Sequence, residues 1–188
     1  MKTTIFAALA ALAITAASPA AARDVEGWEV VDHGTSCIMY SNFKNGTVLS
    51  LYSDGDDDLM FTLQNKRWAA LEDDASYEIN VEFDDWGKWD RTGFASRNID
   101  EDGPGFSFFV PLKEDSRGYE FLAEFTMSSG MKVTKDGTTI VKLDLSGSRA
   151  AFQAMTSCIA PKRGRRDPFK SIDPDSKPEP TRSSTPTV

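Results

Sequence analysis

The run Asn98-Ile99-Asp100-Glu101-Asp102-Gly103 sets oxygen-bearing side chains at alternate positions ahead of a glycine. That is the pattern of the first half of a calcium loop, where hard amide and carboxylate oxygens hold the cation and glycine permits the sharp turn. Asn98, Asp100 and Asp102 are therefore the candidate metal ligands, and calcium is the one candidate cofactor. The bidentate acid of such a loop belongs at position 12, which here is Phe109. No helical pattern flanks the run, so an ordinary solvated acidic turn is the simpler account. Asp54-Gly55-Asp56-Asp57-Asp58 is a second acidic turn, whose mutually repelling carboxylates solvent can screen.

Asp84-Asp85-Trp86-Gly87-Lys88-Trp89-Asp90-Arg91 interleaves aromatic and charged side chains and reads as a loop. Trp faces flanked by carboxylates can stack on and hydrogen-bond a sugar ring, so Trp86, Trp89 and Asp90 are the candidate ligand-binding residues. A glycosidase acid–base pair needs two carboxyls held several Å apart across a cleft, whereas adjacent Asp84 and Asp85 diverge in an extended chain. The plainer expectation is that one Trp is core and the other caps a sheet edge.

Nucleophilic chemistry finds no support. His33 is the only imidazole, and no Gly-x-Ser-x-Gly elbow or nucleotide-binding glycine pattern occurs. Asp32-His33-Gly34-Thr35 has the wrong second residue for an aspartic protease. No catalytic residue is assigned, and a non-enzymatic protein is expected.

Cys37 and Cys158 are the only cysteines. Residues 1–22 read as a secretory signal: Lys2, an apolar run from Ile5 to Ala16, Ser18-Pro19, then Ala20-Ala21-Ala22 as a small-residue cleavage pattern before Arg23. The apolar run is too short to span a bilayer, and no other apolar run is longer. Export places the thiols in an oxidising compartment, where two in one domain pair. With a single His, a four-ligand zinc site is not completed without carboxylates. A Cys37–Cys158 disulfide is expected, and closing so long a loop stabilises by about 4–5 kcal/mol in the chain-entropy account. The protein is expected to be periplasmic or secreted.

From Arg23 to Ala160 the chain holds 13 basic and 25 acidic residues, a formal charge of −12. So acidic a body argues against nucleic acid and anionic membrane surfaces as partners. From Pro161 to Val188 there are seven basic and four acidic residues, with abundant Pro and Ser and Phe169 as the only aromatic. This composition predicts a disordered basic tail, acting as a spacer or docking its Lys162, Arg163, Arg165 and Arg166 onto an acidic partner or the acidic body.

Residues 23–160 are the size of one domain. Short strands are predicted at Trp28–Val31, Cys37–Tyr40, Thr47–Tyr52, Leu59–Leu63 and Phe106–Val110. Asn45-Gly46 marks a hairpin. Tyr77, Ile79, Val81 and Phe83 alternate with Glu78, Asn80 and Glu82, the signature of an antiparallel strand buried on one face. The period then shifts. Phe121, Leu122 and Phe125 predict a short helix stopped near Gly130. Met131–Thr134 and Thr139–Leu145 flank a second hairpin at Lys135-Asp136-Gly137. A last helix starts after Ser148 as N-cap, with Ala151, Phe152, Met155 and Cys158 or Ile159 on one face. The expected fold is mainly β, an antiparallel β-sandwich or half-barrel with two short helices covering one edge and one disulfide.

The C-terminal third, FSFFVPL, YEFLAEF and MKVTKDGTTIVKLDLSGSRAAFQAM, runs apolar strand, short helix, strand, Asp-Gly hairpin, strand, Leu-x-Leu-x-Gly and an Ala-rich helix. In this it resembles the closing region of the invasion-associated locus B family of exported alphaproteobacterial proteins. The Ala-rich signal and Trp28 ahead of the first Cys agree. The chain lacks that family's further cysteines and has Gly147-Ser148 where Gly-Phe usually begins the helix. The resemblance implies an exported β-rich, non-enzymatic domain at the cell envelope and carries over no site residues. The functional expectation is thus an exported binding or interaction module whose partner is an envelope protein or glycan, with a calcium-dependent or carbohydrate-binding protein as the alternative.

Overall fold

In the computed structural model, residues 22–84, 86–100, 102–113 and 116–163 are described. The predicted signal as far as residue 21 and the tail from residue 164 onward lie outside them, as do Asp85, Glu101, Glu114 and Asp115.

Among the described residues ten strands form one antiparallel sheet that does not close: β1 (Arg23–Val25), β2 (Trp28–Asp32), β3 (Cys37–Asn42), β4 (Thr47–Ser53), β5 (Asp58–Asn65), β6 (Ser76–Phe83), β7 (Lys88–Asp100), β8 (Gly103–Pro111), β9 (Gly130–Lys135) and β10 (Thr138–Asp144). Their spatial order is β1-β2-β3-β4-β5-β8-β7-β6-β9-β10. Helices α1 (Gly118–Met127) and α2 (Ser148–Ile159) complete the fold. The mainly-β prediction with two helices and one disulfide holds.

Period-two patterning decides what each strand buries, because successive side chains face opposite sides of a sheet. Val30, Met39, Leu51, Phe61 and Phe108 stand opposite one another across β2, β3, β4, β5 and β8, and all are buried. On β6 the predicted alternation is met by buried Ile79, Val81 and Phe83.

The helices lie on this inner face rather than along an edge. The Phe121 ring meets Phe61, Phe83, Trp89 and Phe108 with centroids 5.0–6.1 Å away. Phe125 touches both Trp28 of β2, at 6.1 Å, and Phe83 of β6, at 6.3 Å. In a flat sheet those two strands would be about 29 Å apart. One ring can meet both only if the sheet curls strongly round α1, so the half-barrel is the architecture realised. The helices could not stay at an edge because α1 carries Phe121, Leu122 and Phe125, all buried, and the concave face is where that apolar surface leaves water. A Cβ at Gly118 would collide with the Pro111 carbonyl, so glycine lets α1 begin hard against the end of β8.

Three local expectations are corrected. Gly147, at φ +84° in the left-handed region, is the N-cap of α2, and Ser148 lies inside the helix with its hydroxyl bonded to the Phe125 carbonyl at 3.3 Å. Helix α1 stops at Met127, and Gly130 opens β9. The span read as an aromatic loop from Asp84 to Arg91 becomes strand at Lys88, where β7 begins and runs 13 residues.

Cys37 and Cys158 are joined as a disulfide that pins α2 to β3. No helix among the described residues is long and apolar enough to cross a membrane.

Candidate interaction surface

The residues predicted to bind a ligand do not share a face. Trp89 points inward and is 5 % exposed. Its indole N–H donates to Glu124 Oε2 of α1 at 2.6 Å. Asp90, the next residue on β7, points outward and accepts from the Asn80 amide across the β6–β7 pair. Trp86 precedes the strand and is 50 % exposed.

The predicted calcium ligands sit on a hairpin. Asp100 pairs with Gly103 across a tight turn whose glycine has φ +97°. Asn98 lies exposed within β7, its backbone N–H donating to Ser96 Oγ at 3.3 Å. Asp102 is half-buried. The Asp100 side chain lies outside the described ones.

Beside Trp89 two guanidinium groups stack on aromatic rings. Arg91 lies 5.2 Å from Trp89 and 4.8 Å from Phe121, and Arg117 lies 4.4 Å from Trp89. Burial, reinforced by the neighbouring Arg117 charge, holds the Arg91 pKa below its usual value. Arg91 Nε has no hydrogen-bond partner among the described residues, and Arg117 pairs with Glu120 at 2.7 Å. Glu124 and Glu120 of α1 complete the cluster, the first through the Trp89 indole and the second through Arg117.

Asp32 lies within 4.8 Å of both cysteine sulfurs. The sulfurs are bonded to each other, so they offer no thiolate to a metal. Asp32 is held by Lys162, whose Nζ lies 2.9 Å from Oδ1 while donating to the Cys158 carbonyl at 3.1 Å. The Lys162 side chain is only 8 % exposed. The bond from Lys162, with a second from the Gly34 N–H, lowers the Asp32 pKa. An open cleft of about 410 Å³ borders β6, β9 and β10. Its Glu82 is paired to Lys132 and Lys88.

The outer face of the sheet carries a feature that no single strand reveals. Val31 stands opposite Ile38, Ile38 opposite Tyr52, Tyr52 opposite Met60, and Met60 opposite Phe109. These positions alternate with the buried ones, so a row of five apolar side chains crosses β2, β3, β4, β5 and β8 on the outside. Phe109 is 52 % exposed and the other four are half-buried. The next outward row, Glu29, Tyr40, Ser50, Thr62 and Ser107, is polar. There the Tyr40 hydroxyl donates to Glu29 at 2.6 Å, and this carboxylate raises the phenol to about 12. Phe94, exposed on β7, stands opposite Ser107, diagonal to Phe109. Each apolar member was visible in the sequence as the out-of-phase residue of its strand. Only the register lines them up.

Compared with protein-family models, curated proteins and solved structures, the chain matches none.

Proposed function

We propose that this chain is an exported, non-catalytic interaction module of the cell envelope, and that it binds a protein segment through the outer face of the β2–β3–β4–β5–β8 sheet. The observation that carries the reading is the continuous apolar row from Val31 to Phe109, bordered by a polar row, because apolar surface contiguous across several strands and rimmed by polar groups marks docking surfaces. The disulfide supports an oxidising compartment, and the N-terminal pattern supports export to the periplasm or beyond. The resemblance to the invasion-associated locus B family points the same way.

The test is photo-crosslinking in envelope extract. A benzophenone side chain is placed at Phe109 and, as a control, at Thr139, which is exposed on β10. A discrete protein adduct formed at position 109 and not at 139 is the expected result. No adduct at 109, or the same adducts at both positions, would remove the outer face from the function.

A further inference from the structure

The end of the described chain, an acidic rim and the apolar row all meet at one edge of the half-barrel. Beyond α2 the backbone reaches Arg163, whose Cα lies 3.5 Å from where a Cβ on Gly55 would stand. Gly55 is in the β4–β5 turn, among the exposed carboxylates of Asp54, Asp56, Asp57 and Asp58. Lys162 is already seated on this rim through Asp32. The apolar row runs one position inside the same rim: Tyr52 and Met60 pair just before β4 and β5 meet the turn, and Phe109 lies two residues from Pro111, the partner of Asp58.

The chain continues from Arg163 as Gly164-Arg165-Arg166-Asp167-Pro168-Phe169-Lys170. This segment has three basic residues to one acidic, and it carries the only aromatic beyond α2. Six residues in extended form reach about 20 Å, enough to pass round the turn and onto the outer face. We infer that residues 164–170 dock in cis on this face, Arg165 and Arg166 against the carboxylates of Asp54 to Asp58 and Phe169 on Met60 and Phe109. The inference rests on the outer face being a docking surface and names the chemistry it accepts, a basic segment with one aromatic anchor. Opposite charge supplies the register at the rim, and the ring removes apolar surface of the row from water. A partner using this face would have to displace the tail or present the same chemistry.

Methionine oxidation reads the contact directly. Met60 lies in the row, while Met127 at the end of α1 is exposed and serves as an internal reference. The full chain is treated with dilute peroxide and sulfoxide formation at each site is followed by peptide mass. A tethered segment has an effective concentration in the mM range, so a mM contact is about half occupied and Met60 is oxidised about twofold more slowly relative to Met127. The protection disappears with Phe169→Ala, with Arg165→Gln and Arg166→Gln together, at high salt, and in a chain ending at Arg163. It persists on dilution. An unchanged Met60 to Met127 ratio between the full chain and Phe169→Ala overturns the inference. Protection that is lost on dilution also overturns it and assigns the tail to a second copy. An adduct at position 109 in the crosslinking experiment, with no tail protection of Met60, rejects the cis contact alone and leaves the docking surface standing.

Discussion

Removing the disulfide tests how the half-barrel is held shut. In the Cys37→Ala, Cys158→Ala double variant, the unfolded chain regains the freedom of a loop spanning a sequence separation of 121. Loop-closure entropy makes that worth about 5 kcal/mol at 25 °C. Cys37 is fully buried, so losing its sulfur leaves a small gap costing about 1 kcal/mol more. The total of about 6 kcal/mol is comparable with the entire stability of many domains. For a domain of this size it lowers Tm by roughly 15–20 °C. The assay is denaturant unfolding of the oxidised protein, the reduced protein and the double variant, followed by Trp fluorescence. The Trp28 indole donates to the Ser146 carbonyl just before α2, so it reports directly on the docking of that helix. Reduced protein and double variant should coincide to within the cost of the gap. A loss of about 1 kcal/mol or less on reduction would refute the reasoning, because the unfolded chain would then already hold β3 and α2 together.

Phe121→Ala removes the ring shared by β5, β6, β7 and β8 and should cost about 3–5 kcal/mol in urea unfolding. Because the Tyr40 phenol is raised from 10.0 to about 12 by Glu29, its neutral form is favoured in the folded state. That contribution is complete below pH 10, is lost as pH rises through the folded value, and should shift back toward pH 10 in Glu29→Gln, as ultraviolet titration will show. Asp32 has the opposite sign: its lowered pKa contributes stability above 3.8 that is lost as pH falls, and Asp32→Asn should flatten that part of the acid unfolding profile. With Asn98 on a strand and Asp100 paired to Gly103 across a hairpin turn, melting temperature should be the same in millimolar calcium and in chelator. A rise in calcium would restore the metal reading, since a ligand that binds only the folded state stabilises it.

Several features were written locally enough to be read without a structure. The alternation from Tyr77 to Phe83 and the i, i+1, i+4 spacing of Phe121, Leu122 and Phe125 each describe one element's buried face, and one face is all that periodicity reports. The disulfide was legible because two cysteines leave only one pairing. The long β7 was hidden because Gly87, Gly93 and the charged residues around Trp89 carry little strand propensity. Two of its inward positions are filled by an Arg stacked on aromatic rings and a Gly packed under Phe106, whose nearest ring carbon is 3.0 Å from where a Cβ would stand, rather than by β-branched side chains. Trp89 and Asp90 looked like one aromatic–acid motif, yet adjacent strand positions face opposite sides, so one went to the core and the other to solvent.

The sequence by itself determined the class of element at most positions, the pairing of Cys37 with Cys158, the acidity of the body and the basicity of the tail. These are properties of composition and short-range periodicity. Tertiary structure alone decided that the sheet curls round α1, because only the sum of its apolar rings on one concave face makes the curvature favourable. It also decided that Val31, Ile38, Tyr52, Met60 and Phe109 form a row. Each is an ordinary half-exposed residue on its own strand, separated from the next by 7 to 49 positions along the chain. Cross-strand register, set by hydrogen-bonded ladders and by which face each strand buries, turns five scattered side chains into one surface.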